Sequence, residues 1–385
     1  MKNLIICFLF TSLGYQLSSQ SILETVERNN AFAIDLLKNT YSSDSNTFFS
    51  PYSLSTALAM TYAGARKETE KQMSKVLNFN IDQQVTHGNF EELIKALKRL
   101  ELDSNIEFST ANALWKKETF PFHKDFLELC KKYYGTPVYK LEGAIPINDW
   151  TESKTKGKID SIVTEKDLEI AQLVLTNAIY FKGDWLSKFD SSNTKKAIFN
   201  GEEDYEVEMM YQSLKTGYYE NEQIQLINLP YKGESVSMTV VLPKPEYSIK
   251  DIIDDLNPLS FSQYKFDSKE NEVKVYLPKF KIESNYLLNK NLKEMGMPDA
   301  FKECIADFSG MTSIPCLYIG KVLHKAFIEV NEQGSEAAAA TAVIMDWKSA
   351  RPDIVFKADR PFIYYITDNE TNSILFIGCL LNPNE

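Results

Sequence analysis

The stretch HKAFIEVNEQGSEAAAATAVIMDWKSARP, residues 324–352, carries more information about the fold than any other part of the chain. Four consecutive alanines, Ala337–Ala340, favour a helix by intrinsic propensity. Every second side chain is small or apolar and uncharged: Ser335, Ala337, Ala339, Thr341, Val343 and Met345. That alternation favours a strand that can enter a sheet without burying a charge. Gly334 would allow the chain to bend just before this strand.

The character of the sequence changes after Met345. Lys348-Ser349 is a basic–small bond of the kind that trypsin-like proteases accept, since they hold Lys or Arg in an acidic pocket. Arg351 is a poorer target because Pro352 follows it. A cleavable bond next to an insertable strand predicts a protein that is meant to be cut.

The chain predicts an α+β fold. Helical patterns come mostly first, as in residues 21–38 and 53–64, and strand patterns come mostly later. Leu173–Phe181 (LVLTNAIYF) is continuously apolar, which is typical of a strand buried on both faces. No repeat, linker or composition change divides residues 21–385, so we expect one domain.

Composition excludes several classes of function. The 385 residues carry a net charge of −11 and are 44% hydrophobic. The negative charge argues against nucleic-acid and anionic-membrane partners. The sequence contains no HExxH, CxxC, GxSxG, GxGxxG or P-loop motif, so we expect no enzyme, no metal site and no cofactor. His87 and His123 lie in polar surroundings and are predicted to be on the surface.

Residues 1–20 have the form of a secretory signal peptide, with Lys2, the apolar run 4–10 and small residues at 18–19. A buried first helix is the alternative. After removal of Cys7, four cysteines are left in an oxidising compartment: Cys130, Cys304, Cys316 and Cys379. Cys304 and Cys316 can pair, but the sequence does not settle the pairing. Asn369-Glu370-Thr371 is a glycosylation acceptor. We therefore expect a secreted glycoprotein.

Several segments in consistent order, spanning residues 21–385, resemble the serpin family of serine protease inhibitors. The stretch EQGSEAAAAT (332–341) is similar to the hinge of inhibitory members, and LTNAIYFKGDW (175–185) to a central-sheet motif. Further matches are residues 46–77, VYLPKF (275–280), and DRPF (359–362) followed by FIG (376–378). The resemblance implies three β-sheets, about nine helices and an exposed reactive-centre loop.

The resemblance also implies roles for particular residues. Lys348 would precede the cut and Ser349 would follow it. Ala350 and Arg351 are less favoured alternatives for the cut site, because the stretch from Lys348 to Pro361 is slightly longer than in some family members. The hinge comprises Glu332, Gly334, Ser335, Ala337, Ala338, Ala339 and Ala340. A polar cluster, the shutter, comprises Ser50, Ser53, Asn177 and His324. A gate at the top of the sheet, the breach, comprises Trp185, Lys279 and Glu332.

The resulting hypothesis is a monomeric, secreted suicide-substrate inhibitor of trypsin-like serine proteases that forms a covalent complex with its target. A non-inhibitory carrier or storage protein is the alternative, although the uncharged hinge face argues against it. Trp347 and Asp346 leave the identity of the protease open. Basic residues leave a glycosaminoglycan partner as an option, which their mixing with acids disfavours: Lys95, Lys98, Arg99, Lys131 and Lys132.

Overall fold

The protein is described by a computed structural model that covers the backbone of residues 2–335 and 353–385 and the side chains of residues 20–334 and 353–385. Within these ranges the chain forms ten α-helices: α1 (Lys2–Thr40), α2 (Pro51–Tyr62), α3 (Lys67–Val76), α4 (Gln83–Leu102), α5 (Lys124–Leu129), α6 (Ala144–Lys154), α7 (Glu165–Leu168), α8 (Ile249–Asp255), α9 (Ser260–Asp267) and α10 (Asn289–Met295). A π-helical turn follows α5 (Cys130–Tyr134), and two short 3₁₀ turns cover Ser191–Asn193 and Asp299–Phe301.

The same ranges contain fifteen strands: β1 (Thr47–Phe49), β2 (Ile106–Lys116), β3 (Val138–Lys140), β4 (Leu173–Asp184), β5 (Lys195–Asn200), β6 (Asp204–Glu220), β7 (Ile224–Pro230), β8 (Val236–Pro243), β9 (Lys269–Pro278), β10 (Phe280–Leu287), β11 (Lys321–Val330), β12 (Gly334–Ser335), β13 (Ile354–Lys357), β14 (Phe362–Asp368) and β15 (Ile374–Leu380). The predicted α+β class is confirmed.

Hydrogen bonding divides these strands into two sheets, where three were expected. The larger sheet has the order β1-β15-β14-β8-β7-β6-β9-β13, with β5 also paired to β6. Strand β6 is 17 residues long; it pairs with β9 over Met209–Tyr218 and with β7 over Gly217–Glu220. Because β6 pairs with both β9 and β7, it joins two of the three expected sheets into one.

The smaller sheet has the order β10-β11-β4-β2-β3, and β12 pairs with the end of β4. Strand β4 is its centre, parallel to β11 and antiparallel to β2. Its first nine residues are all buried, as the unbroken apolar pattern predicted. We call the boundary between β4 and β11 the seam, since it is the one parallel pairing of β4.

Helix α2 lies directly beneath the smaller sheet. All twelve of its residues are buried, which its small side chains permit. Ser50 caps the helix by accepting a hydrogen bond from the Ser53 backbone N–H at 3.2 Å, and Pro51 occupies the first turn, where no N–H is needed. These features fix Ser50 and Ser53 below β4.

Helix α1 begins at Lys2, so it includes the backbone of the predicted signal segment. Cleavage of that segment stays a prediction. In the described residues, no helix is both long and apolar enough to cross a bilayer. Cys304 and Cys316 form a disulfide, which settles the pairing that the sequence left open, while Cys130 and Cys379 are free and buried.

Candidate functional site: the seam of the smaller sheet

The seam is closed along most of its length and branches at one end. Strands β4 and β11 pair in parallel from Val174 opposite Lys321 to Tyr180 opposite Phe327. Beyond that point β12 pairs with β4 instead, with Gly334 opposite Asp184 and Ser335 opposite Gly183. The chain that leaves β11 therefore turns back and lies antiparallel along the end of β4.

The predicted breach residues meet at this branch. Glu332 lies with its Oε2 atom 3.4 Å from Lys279 Nζ, and its Oε1 atom accepts a hydrogen bond from the Thr194 hydroxyl at 2.8 Å. Lys279 also contacts Glu208 at 2.9 Å. Burial alone would raise the pKa of Glu332, but its backbone N–H, Thr194 and Lys279 outweigh that cost and hold the pKa below its ordinary value. The carboxylate is thus ionised at neutral pH.

Trp185 fixes the turn between β11 and β12. Its indole Nε1 donates to the Asn331 carbonyl at 2.9 Å, and its backbone N–H donates to the Gln333 carbonyl at 2.7 Å. The ring stacks on Tyr231 with centroids 4.6 Å apart. The Trp185 side chain is 2% exposed, so the turn rests on a rigid apolar surface.

Gly334 is required by the geometry of this turn. Its φ angle is +141°, and a Cβ atom there would lie 2.1 Å from the Gly183 carbonyl oxygen. Glycine is the residue that adopts this conformation without strain and lets the two backbones approach. The sequence predicted a bend at this position, and the structure confirms it.

The four predicted shutter residues also come together, in the middle of the seam. His324 on β11 is directly opposite Asn177 on β4, and its Nδ1 atom is hydrogen-bonded to Asn177 Oδ1. The backbone N–H of Ser50 donates to His324 Nε2 at 3.1 Å. The Asn177 amide donates to the Ser53 hydroxyl. These contacts join both sides of the seam to the start of α2.

A fifth member of this network escaped the sequence analysis. Asn112 on β2 is opposite Asn177, and its Oδ1 atom accepts hydrogen bonds from Asn177 Nδ2 and from the Ser53 hydroxyl, the latter at 3.1 Å. No recognisable sequence pattern relates Asn112 to the other members of the network. The antiparallel register of β2 and β4 is what places it there.

His324 is neutral in this network. Complete burial lowers its pKa from 6.5 to about 3. Because Nε2 accepts from the Ser50 backbone, Nδ1 carries the proton and donates it to Asn177. A second proton on Nε2 would face the Ser50 N–H, so two donors would oppose each other. Tyr286 stacks on the ring from β10 and adds no charge.

The remaining residues of the predicted hinge and reactive bond lie outside the described residues or have side chains that are not described. Outside the described ranges are six of them: Ala337, Ala338, Ala339, Ala340, Lys348 and Ser349. For Ser335 the structure describes the backbone alone. The roles of all these residues, and the exposed reactive-centre loop, stay predictions.

The predicted glycosylation acceptor is partly buried. Asn369 Nδ2, the atom that a glycan would modify, donates to the Glu234 carbonyl and to the Ser237 hydroxyl, both at 2.8 Å. A glycan would have to replace one of these bonds. Glycosylation therefore stays a prediction, and it would cost one of these two hydrogen bonds.

One surface expectation is wrong, and another agrees with the structure. His87 was expected on the surface, but it is fully buried, with Nδ1 2.6 Å from the Tyr134 hydroxyl. The reason is that α4 packs on the π-helical turn. The polarity of the residues next to His87 in the sequence does not predict this tertiary contact. Two of the basic residues considered for a polyanion are engaged by acids, Lys95 with Glu91 and Arg99 with Asp368.

Comparison with known proteins defines the class. The family model described as serpin (serine protease inhibitor) matches residues 27–383, and the chain belongs to this family. Human Serpin B8 is 38% identical over 372 residues, covering 93% of this chain and 99% of its own.

Solved structures agree with that assignment. The native structure of the thermophilic serpin Tengpin is similar with a TM-score of 0.85 and 33% identity, over 93% of this chain and 94% of Tengpin. Human thyroxine-binding globulin, solved with thyroxine, matches with a TM-score of 0.85 and 28% identity, over 95% of this chain and all of the globulin. The expected serpin fold is confirmed.

Proposed function

We propose that this chain is a secreted suicide-substrate inhibitor of trypsin-like serine proteases, with Lys348-Ser349 as the bond that the protease attacks. Cleavage frees the segment that begins at β12, and the segment inserts along the seam as a new strand. The acylated protease travels with the inserted strand and is trapped before its ester is hydrolysed.

The observation that carries this proposal is the pairing of β12 with β4. Gly334 and Ser335 already pair with Asp184 and Gly183 in antiparallel register. Continued in that register, the segment would set Thr341 opposite Asn177 and Met345 opposite Leu173, where β4 begins. The uncharged alternation of residues 335–345 thus matches the length of β4.

The covalent step uses the protease's own chemistry. The serine hydroxyl of the protease attacks the carbonyl carbon of Lys348, and the Lys348–Ser349 amide bond breaks. The protease histidine takes the serine proton and passes it to the new amino group of Ser349. An ester between Lys348 and the protease is left. Water would hydrolyse this ester unless strand insertion distorts the protease first.

Insertion must rearrange the shutter. The bond between His324 and Asn177 crosses the seam, so a strand that enters there has to replace it. The network is neutral and fully hydrogen-bonded, which keeps the closed sheet stable until a new strand supplies backbone partners. This arrangement suits a native state that is held short of its lowest free energy by a kinetic barrier.

Secretion is supported by two features. Residues 1–20 have the three-part form of a signal peptide, and the Cys304–Cys316 disulfide persists most readily in an oxidising compartment. Expression of the full chain in a secreting host, followed by N-terminal sequencing of protein from the medium, tests this part. A product that stays inside the cell with residues 1–20 attached would contradict it.

The inhibitory mechanism is tested with trypsin. The wild-type chain should form a complex with trypsin that survives denaturing electrophoresis, and Lys348→Ala should abolish it while the protein still folds. Ala339→Arg should be cleaved without forming a complex, because its charge would have to enter the sheet. Simple cleavage of the wild-type chain, with trypsin left fully active, would contradict the proposal.

A carrier function is the second candidate, and a cavity favours it. A pocket of about 260 Å³ lies between α1, α9 and the larger sheet, with apolar walls that include Leu23, Val26, Phe261 and Tyr365, and with Lys265 at its edge. One structural relative was solved with thyroxine. Such a pocket suits a largely apolar ligand.

Equilibrium binding of thyroxine, measured by quenching of tryptophan fluorescence, tests the carrier function. Phe261→Ala serves as the pocket variant, and the exposed Phe266→Ala serves as its control. Saturable binding that Phe261→Ala alone weakens would support a carrier. Binding that is absent, or that both variants weaken equally, would contradict it.

A further inference from the structure

The Cys304–Cys316 disulfide lies at the surface, whereas the free cysteines of the described chain are buried. Cys304 is exposed and Cys316 is partly exposed. Cys130 and Cys379 are fully buried, and burial raises the pKa of the Cys130 thiol to about 12. A thiol reagent in solution therefore reaches the disulfide of the folded protein but not the two buried thiols.

Two exposed isoleucines flank this disulfide. Ile305 is 59% exposed and Ile314 is 43% exposed, and both line the same open groove as the two cysteines. The groove has a volume of about 510 Å³ and lies between the start of α3 and residues 304–317, with the exposed Pro315 on its wall. Apolar side chains that are exposed together, unlike isolated ones, are typical of a surface that another protein contacts.

The charged residues that line the groove have partners of opposite sign. Lys67 Nζ lies 3.0 Å from Asp307 Oδ2, and Glu68 Oε2 lies 3.7 Å from Lys71 Nζ. Thiolates are the species that attack disulfides, and an unbalanced carboxylate would repel them. Among the described residues that line the groove, no carboxylate is left unbalanced in this way.

The body of the loop between the two cysteines is held by hydrogen bonds to other elements. The Asp307 backbone N–H donates to the Thr69 hydroxyl oxygen on α3 at 3.0 Å. The His123 backbone N–H, just before α5, donates to the Met311 carbonyl at 2.7 Å. Residues 313–315, which follow, are exposed. The disulfide is therefore the covalent link that fixes the second cysteine to this anchored loop.

The second cysteine directly precedes the chain that enters β11. Ile319 is buried three residues after Cys316, and its backbone N–H donates to the Ala300 carbonyl at 2.9 Å. The Gly320 backbone N–H then donates to the carbonyl of Leu173, the first residue of β4, at 2.9 Å. This last bond closes the end of the seam that lies opposite the breach. The disulfide thus restrains the segment that holds this end together.

We propose that Cys304–Cys316 is an exchange site for a protein dithiol of the thioredoxin type, which docks on Ile305 and Ile314. A thiolate of the dithiol attacks the exposed Cys304 sulfur, the S–S bond breaks, and Cys316 leaves as a thiolate that takes up a proton. The second thiol of the dithiol then attacks the mixed disulfide and releases Cys304. Two electrons and two protons pass to this protein, and the dithiol is left as a disulfide.

The redox state of this pair sets how firmly the entry to β11 is held. In the closed form, the disulfide limits the movement of residues 316–320 relative to the anchored loop. In the reduced form, the exposed residues 313–315 connect the two parts as an open chain. The same docking surface serves the reverse reaction, because an oxidised partner closes the bond by the same steps.

The docking surface is tested by the rate of reduction. The folded full-length protein is mixed with reduced thioredoxin, and the new thiols are trapped with iodoacetamide and located by mass spectrometry. The double variant Ile305→Ser with Ile314→Ser should lower kcat/KM for thioredoxin about tenfold, because two apolar contacts are lost. Leu102→Ser is the matched control, since Leu102 is 80% exposed at the end of α4. It should leave the rate unchanged.

A small dithiol separates docking from the reactivity of the bond itself. Dithiothreitol needs no protein surface, so its rate in the double isoleucine variant should differ less than about twofold from that of the wild type. With either reductant, alkylation should appear at Cys304 and Cys316 while Cys130 and Cys379 stay unlabelled. An equal decrease for thioredoxin and dithiothreitol would refute docking, because the substitutions would then act on the disulfide itself.

Hydrogen exchange tests the link to β11. The Gly320 amide should exchange at least about tenfold faster after reduction, because the closed loop no longer restrains it. The Trp185 amide at the breach should keep its rate. The double variant Cys304→Ser with Cys316→Ser should show the fast Gly320 exchange without any dithiol, and added dithiol should change nothing further. Reduction of the wild type gives the same answer should this variant not fold.

Three results would overturn the proposal. Thioredoxin that reduces the double isoleucine variant as fast as the wild type would refute the docking surface. Equal labelling of the buried thiols would refute the site, since reduction would then follow unfolding. Unchanged Gly320 exchange in fully reduced protein would refute the link to β11. None of these measurements uses a protease, so a chain that never traps trypsin would refute the proposed function and leave them intact.

Discussion

The breach at one end of the seam and the shutter at its middle are built from different chemistry. At the breach, Glu332 and Lys279 are charged, and Lys279 is 32% accessible at its side chain. At the shutter, Asn177 and His324 are at most 1% exposed, and the network they share is neutral. Water can replace the partners of Lys279 at the breach, but not those of Asn177 or His324 at the shutter.

This difference indicates the order in which the sheet opens. The contacts of Lys279 at the breach exchange with solvent at low cost, so the strand that begins at Gly334 can lengthen there first. The shutter has to exchange buried hydrogen bonds, which costs free energy until new partners are in place. A loop that inserts from β12 therefore meets its smaller barrier before its larger one.

The largest expected effect comes from a substitution that breaks the shutter. Asn177→Leu removes the acceptor of His324 and the donor to Ser53, and strands several buried polar groups. We expect the free energy of unfolding to fall by about 4 kcal/mol, measured by chemical denaturation. Asn271→Leu is the control, because its side-chain amide donates to the nearby Lys269 carbonyl and to no other group in the described part of the chain. An equal decrease in the free energy of unfolding in the two variants would show that the shutter contributes no more to stability than the Asn271 side chain does.

Acidification tests the neutrality of the shutter. The pKa of His324 is lowered to about 3 and that of His87 to about 4, both chiefly by burial. The unfolded chain takes up protons below pH 6.5 that the native state refuses, so stability is full above pH 6.5 and falls on acidification. Each histidine should contribute a slope that rises toward about 1.4 kcal/mol per pH unit as the pH falls from 6.5 to 5.

His324→Gln removes one of the two histidines, so it should remove about half of this dependence of stability on pH. The variant should still fold, because glutamine can donate to Asn177 and accept from Ser50. His123→Gln is the matched control, because His123 lies partly exposed before α5. Glu332 does not obscure this range, because its pKa is held below the ordinary value of a glutamate. An unchanged slope in His324→Gln would mean that the shutter histidine is charged in the native state.

The smallest effect concerns the start of β12 at the breach. Gly334→Ala places a methyl group against the Gly183 carbonyl at a φ of +141°, and should cost about 2 kcal/mol. Gly157→Ala is the control, because its φ is +76° with open space around it, and it should cost about 1 kcal/mol. Hydrogen exchange of the Trp185 amide, which donates to the Gln333 carbonyl, should accelerate in Gly334→Ala alone. Protection that survives the substitution would show that β12 does not depend on glycine.

The sequence predicted the strand residues well where burial alone decides them. The apolar run at 173–181 became the centre of a sheet, and the bend at Gly334 was found where it was expected. The sequence failed where long-range packing decides. His87 lies in polar sequence but is enclosed by the turn that contains Tyr134, and β6 merges two expected sheets because its length lets it pair on both sides.

By itself, the sequence determined which segment can become a strand, because alternation of uncharged side chains is a local property of residues 335–345. It also indicated the polar residues of the seam through their resemblance to a family. Only the tertiary structure decided which of them touch. Asn112, Asn177 and His324 meet through the register of three strands, and Lys325 reaches the Ser161 carbonyl through the fold. Register and packing join residues far apart in the chain, so no local pattern contains them.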